Sequence, residues 1–98
     1  MKVLNKDKDK FVIVLENIDT IGKNLELLSE KLKNILQNAS EIEINMKNVD
    51  YVASSFVDLI ENLVNEIQTK AGKIIIKNCN DRIKDLFKTL GKDLEIFK

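Results

Sequence analysis

Residues 41–46, Glu41-Ile42-Glu43-Ile44-Asn45-Met46, alternate polar and apolar side chains without a break. A period of two puts Ile42, Ile44 and Met46 on one face of an extended chain and Glu41, Glu43 and Asn45 on the other, so the segment predicts a strand with one polar face. The period changes on both sides of it. After a loop through Val49, Asp50 and Tyr51, the residues Val57, Leu59, Ile60, Leu63, Val64 and Ile67 recur at helical spacing to about Lys70, and Ala71-Gly72 closes that helix. Ile74-Ile75-Ile76 follows, a β-branched run that predicts a short strand buried on both faces. Upstream, Leu25, Leu28, Leu32, Ile35 and Leu36 step by three and four, which predicts an amphipathic helix from Gly22 to about Asn38. Helices placed between strands in this way call for right-handed crossovers and a largely parallel sheet.

The ends of the chain extend the pattern. Val3-Leu4 and Phe11-Val12-Ile13-Val14-Leu15 flank the charged Lys6-Asp7-Lys8-Asp9-Lys10, a hairpin signal whose alternating charges read as a solvated turn. Downstream, Asn80 or Asp81 is placed to cap a third helix bearing Ile83, Leu86, Phe87 and Leu90 and stopping at Gly91. Leu94-Glu95-Ile96-Phe97 reads as a last strand. The expected order is β-β-α-β-α-β-α-β: one α/β domain over residues 1–98, a mixed sheet with helical cover, free of linker-like stretches and repeats.

Composition narrows the function. Sixteen basic and sixteen acidic side chains cancel, so there is no excess positive field to draw the chain onto nucleic acid. The longest apolar stretch, Phe11 to Leu15, is far short of the roughly 20 residues that span a bilayer, and the amino-terminal residues lack the apolar core of a signal peptide. With a single cysteine, Cys79, no intrachain disulfide and no four-thiolate zinc site can form. A cytoplasmic protein without metal or cofactor is expected. The 98 residues contain no histidine, which removes the commonest general base and metal ligand. An enzyme would have to be built from two serines and two aspartates at the one plausible site, without an evident oxyanion arrangement. We expect none.

That site is Asp50-Tyr51-Val52-Ala53-Ser54-Ser55-Phe56-Val57-Asp58, where a strand end, a loop and a helix start meet; open α/β sheets favour this carboxyl edge for ligands and partners. Ser55 with Asp58 three residues on fits a capping box and then needs no function. Alternatively Ser54 or Ser55 accepts a phosphoryl group, because unpaired N–H groups and the positive dipole end of a helix tolerate an added dianion. Tyr51, Ala53, Ser54, Ser55, Phe56 and Asp58 are the candidate partner-binding residues. Phe56 reads equally as an exposed aromatic anchor for a partner and as a core residue of the second helix. Cys79, between a strand and a helix start, sits where a thiol pKa can be lowered, yet lacks any catalytic neighbour in sequence. Arg82 reads as a solvated helix side chain, and Glu41 with Glu43 as one polar strand face.

These segments together resemble the STAS family, in particular its anti-sigma factor antagonists. Leu15-Glu16-Asn17-Ile18-Asp19 is similar to the family's early strand and turn, with Glu16 where glycine is usual. Ile42 to Met46 followed by Val49 to Val52 is similar to the central strand and the loop after it. Ala53-Ser54-Ser55-Phe56 falls on the family's Asp-Ser-Ser/Thr-Gly signature, with Ala53 in place of the aspartate and Phe56 in place of the glycine. Ala71 to Asn78 resembles the Gly-Gly-Lys strand, Asn80 to Gly91 the following helix and Leu94 to Phe97 the closing strand. The resemblance implies a protein that binds an anti-sigma factor or regulatory serine kinase and is switched by phosphorylation at Ser54. The runner-up is a constitutive, unphosphorylated STAS scaffold in a larger signalling or lipid-transport complex.

Overall fold

The computed structural model describes residues 1–92 and 94–98. Strands β1 (Lys2–Asp7) and β2 (Lys10–Glu16) form the hairpin; a 3-10 turn, Asn17–Thr20, leads to α1 (Gly22–Leu36); then come β3 (Glu41–Asn48), α2 (Ser54–Thr69), β4 (Lys73–Lys77) and α3 (Asp81–Thr89). The sheet order is β1-β2-β3-β4, antiparallel between β1 and β2 and parallel thereafter. This is the mixed α/β sheet with helical cover that the periodicities predict.

Each parallel step moves the same way across the sheet, so right-handed crossovers deliver every helix to the same face. The burial pattern agrees. Ile13, Leu15, Ile42, Ile44, Met46, Ile74 and Ile76 form one core with Leu28 and Leu32 of α1, Phe56, Ile60 and Ile67 of α2, and Ile83 and Phe87 of α3. The opposite face, which carries Leu4, Val12, Val14, Glu43 and Asn45, has no helix over it among the described residues, and its ion pairs Lys10–Glu41 (3.4 Å) and Lys77–Glu43 (3.3 Å) lie between neighbouring strands.

Two expectations are corrected. Ile74-Ile75-Ile76 is not buried on both faces: β4 lies at the end of the four-stranded order, and Ile75, opposite Glu43, is half-buried on the uncovered side. The run of three isoleucines carries no period, so it could not show which of them faces out. The last strand shrinks to a single parallel bridge, Ile76 with Phe97, held by Ile76 N–H to Ile96 O (2.7 Å) and Lys98 N–H to Ile76 O (2.9 Å). Ile96 and the edge-to-face contact of Phe97 with Phe87 (centroids 5.1 Å apart) fasten this segment by side-chain packing more than by a ladder.

The helix ends explain how the loops reach the sheet edge. At the end of α2 Ala71 takes the left-handed conformation (φ 56°), with its N–H on Gln68 O (3.0 Å) and that of Gly72 on Ile67 O (2.8 Å). Gly72 is required for a different reason: a Cβ there would meet Ile67 Cγ1 at 2.6 Å and Ser40 O at 2.9 Å. The α3 end repeats the motif with Gly91 in the left-handed position (φ 75°).

Candidate functional site

The loops after β2, β3 and β4 converge at the carboxyl edge of the sheet, and hydrogen bonds between them set the position of the segment that precedes α2. Asn17, in the 3-10 turn after β2, accepts from Asp50 N–H through Oδ1 (2.8 Å) and donates from Nδ2 to Asp50 Oδ2 (3.2 Å). Asn80, after β4, donates from Nδ2 to the carbonyls of Asp50 (3.0 Å) and Val49 (3.4 Å). Its Oδ1 meanwhile accepts from Ile83 N–H (2.9 Å) and so caps α3. Asn48 Nδ2 donates to Glu16 Oε2 (2.6 Å). Val49 and Val52 anchor the segment from below, at 2% and 1% exposure.

On this base the chain presents Tyr51 at 59% exposure, and Ala53, Ser54, Ser55 and Asp58 are all exposed. Ser54 is the first residue of α2 and Ala53 its N-cap, with extended backbone (φ −88°, ψ 167°) and no side chain able to accept from the first turn. Ser55 lies inside the helix, so it does not form the capping box with Asp58 that its spacing suggests. The helix starts two residues earlier than that box requires, with Ala53 as the N-cap, and both Phe56 and Val57 turn into the core. Phe56 is fully buried, which corrects its reading as an exposed anchor. The signal was in the sequence: Phe56 precedes Ile60, Leu63, Val64 and Ile67 at steps of four and three, on the buried stripe of α2.

Two exposed isoleucines stand on and just after the 3-10 turn, Ile18 (63% exposed) and Ile21 (62% exposed), and Ile21, which the sequence reading passed over, lines a cleft with Tyr51. Their spacing of three resembles the start of a buried helical stripe, and only the turn's orientation shows that they point outward. Cys79 is buried, and that burial pushes its thiol up to about 11; Lys84 pulls the other way and Asp81 adds to the rise. The setting that could have activated the thiol instead makes it inert at neutral pH. Arg82 is exposed, and Glu41 and Glu43 pair with lysines of the adjacent strands. Among the described residues no group of three or more cysteine and carboxylate side chains could hold a metal ion, and no helix is long and apolar enough to cross a membrane.

Fold and sequence profile agree on the class. The STAS domain profile matches residues 5–98, and the chain belongs to the STAS family. Among solved structures it is similar to the anti-sigma factor antagonist SpoIIAA in its unphosphorylated form (TM-score 0.86, 18% identity, covering 99% of this chain and 84% of that one). It is also similar to the Bacillus cell fate determinant SpoIIAA in the phosphorylated form (TM-score 0.78, 18% identity, 99% and 87% covered). A chain from the molecular architecture of the stressosome, described as a signal integration and transduction hub, matches with TM-score 0.73 and 16% identity over 95% of this chain and 81% of that one. No curated protein matches in sequence.

Proposed function

We propose that the chain is a regulatory, non-catalytic STAS protein of the anti-sigma factor antagonist type, acting in the cytoplasm. It binds an anti-sigma factor or regulatory serine kinase through Tyr51, Ala53, Ser54, Ser55 and Asp58, and phosphorylation of Ser54 releases that partner. Sequestering the regulator frees its sigma factor for transcription. The observation that carries the reading is the exposure of Ser54 as the first residue of a sixteen-residue helix at the carboxyl edge of the sheet. A phosphoryl group there adds about −1.5 to −2 charges where the N–H groups of the first helical turn and the helix dipole accept them. The same charge makes a docked partner surface pay a desolvation cost it did not pay to a neutral hydroxyl. Asp50 and Asp58, both exposed near Ser54, raise the energy of the modified state.

Likeness to SpoIIAA in its unphosphorylated and phosphorylated forms supports this reading. The test is incubation with ATP and candidate anti-sigma kinases of the same organism, with phosphate incorporation mapped by mass spectrometry. Incorporation is expected at Ser54, lost in Ser54→Ala and kept in Ser55→Ala; equal labelling of Ser54→Ala would count against the switch.

A second reading is a constitutive STAS scaffold subunit in a larger assembly. The alanine at the N-cap favours it, since Ala53 offers no carboxylate beside the serine, and so does the likeness to the stressosome chain. In a pull-down with the same partner, Ser54→Asp weakens binding if the switch operates and leaves it unchanged if the protein is a scaffold.

A further inference from the structure

Strands paired in parallel are as a rule buried on both faces, because helices cover them on each side. Here β2, β3 and β4 are parallel, yet one face of the sheet has no helix over it among the described residues. That face is not uniformly polar. Leu4, Val12, Glu43 and Ile75 stand opposite one another in a single row across all four strands, so three of its four positions are apolar. Leu4 is 40% exposed, and Val12 lies at the bottom of an open hollow of about 590 Å³ that Val14 also lines. Charge completes the description. Lys10 is committed to Glu41 and Lys77 to Glu43, and Glu16 accepts from Asn48. Lys2, Lys6 and Lys47, all exposed around the hollow, have no carboxylate partner among the described residues, so the uncommitted charge of the face is positive in a chain whose net charge is zero.

We infer that this bare face is the docking surface for an amphipathic helix of a partner protein, one whose apolar stripe is flanked by aspartate and glutamate. The stripe covers Leu4, Val12 and Val14 as the second helical layer of the sheet, and the flanking carboxylates meet Lys2, Lys6 and Lys47. A second copy of the chain does not fit. Two such faces laid together would set the same unpaired lysines against each other, and the apolar stripes of the chain's own helices are already occupied by its core. A flat anionic bilayer has the right charge, but it cannot follow a hollow down to a valine that is 7% exposed. None of residues 50–58 lines the hollow, so the inference stands apart from the function proposed for the serine corner.

The probe is a synthetic helical peptide with a leucine stripe flanked by glutamates, titrated into the full chain with its Ile, Leu and Val methyl groups labelled for NMR. Saturable shifts are expected in the methyls of Leu4, Val12, Val14 and Ile75, with those of Leu27, Leu59 and Leu63 on the helical side unmoved. The same peptide with lysines in place of the glutamates is expected to bind about tenfold more weakly or worse, and the Lys2→Glu/Lys6→Glu/Lys47→Glu variant to reverse that order, since like charges brought together at an interface repel strongly. The three lysines are exposed and outside the ion pairs, so the unfolding midpoint of the variant is expected to match the parent. Lys23→Glu/Lys31→Glu/Lys33→Glu makes the same change of net charge on exposed positions of α1 and is expected to keep the parent's order of affinities. Unmoved methyls on the bare face, equal affinity of the two peptides for the parent, or a reversal in the α1 variant as well would overturn the inference. So would binding to phosphatidylglycerol vesicles, lost in the Lys2/Lys6/Lys47 variant, by a chain that binds neither peptide.

Discussion

At the scale of single residues, Ala53, Phe56 and Cys79 are each read by their surroundings. Ala53 holds the dihedral angles of an N-cap without the side-chain acceptor that position favours. Ala53→Asp is expected to stabilise the protein by about 1 kcal/mol, read as a rise of about 4–8 °C in the unfolding midpoint. Phe56, at 0% exposure, fills the core where the family signature has glycine. Phe56→Ala should cost about 3–5 kcal/mol in denaturant unfolding, a large part of the stability of a domain this size. For Cys79 the folded pKa lies above the ordinary value of 9.0, at about 11. Its contribution is therefore whole below pH 9 and is lost as pH rises toward 11, because the unfolded chain releases the proton first. The loss is on the order of 2–3 kcal/mol. It is measured as the difference between the stability–pH curves of the parent and Cys79→Val, which should diverge only above pH 9. Phe56 could have been placed from the sequence by its four-residue step to Ile60. The burial of Cys79 could not, since it depends on α3 folding back over the end of β4.

Among the elements, the ones with a clean period were the most legible. The alternation of Glu41 to Met46 matches β3 and its one buried face, and the stripes of α1, α2 and α3 match the helices within a residue or two of their ends. Where the signal was chemical and not periodic, it was shared among roles. Ser55 had the spacing of a cap and is not one; Ala71-Gly72 ends α2 as read, but the two residues split the work, Ala71 taking the left-handed conformation and Gly72 answering a close approach. Asn80 was legible as a cap, and its second role, holding the carbonyls of Val49 and Asp50, depends on a loop thirty residues away in the chain. The two roles separate by substitution. Asn80→Asp keeps the acceptor for Ile83 N–H and loses the donor, so α3 should hold while amide exchange in residues 49–53 speeds up; Asn80→Ala should lose the cap too, at about 0.5–2 kcal/mol. Unchanged amide exchange in residues 49–53 of Asn80→Asp would show that the loop bonds do not position the serine corner.

For the whole molecule, a sheet order that never reverses puts all three helices on one face and gathers the three β-to-α loops at one edge. That geometry brings Asn17 and Ile21 together with Asp50, Tyr51 and the serine corner from segments far apart in sequence, and for this reason part of the corner was invisible to a linear reading. Tyr51, Ser54 and Ser55 could be picked out from one loop and its following helix. Ile21 could not, because nothing local tells an outward isoleucine from an inward one. The most direct measurement is a calorimetric titration of the anti-sigma partner into the chain with Ser54 unmodified and with Ser54 stoichiometrically phosphorylated. A loss of affinity of about a hundredfold, roughly 3 kcal/mol, is expected on phosphorylation. Equal affinity of the two forms would contradict the account, leaving the corner as a docking surface that phosphate does not control.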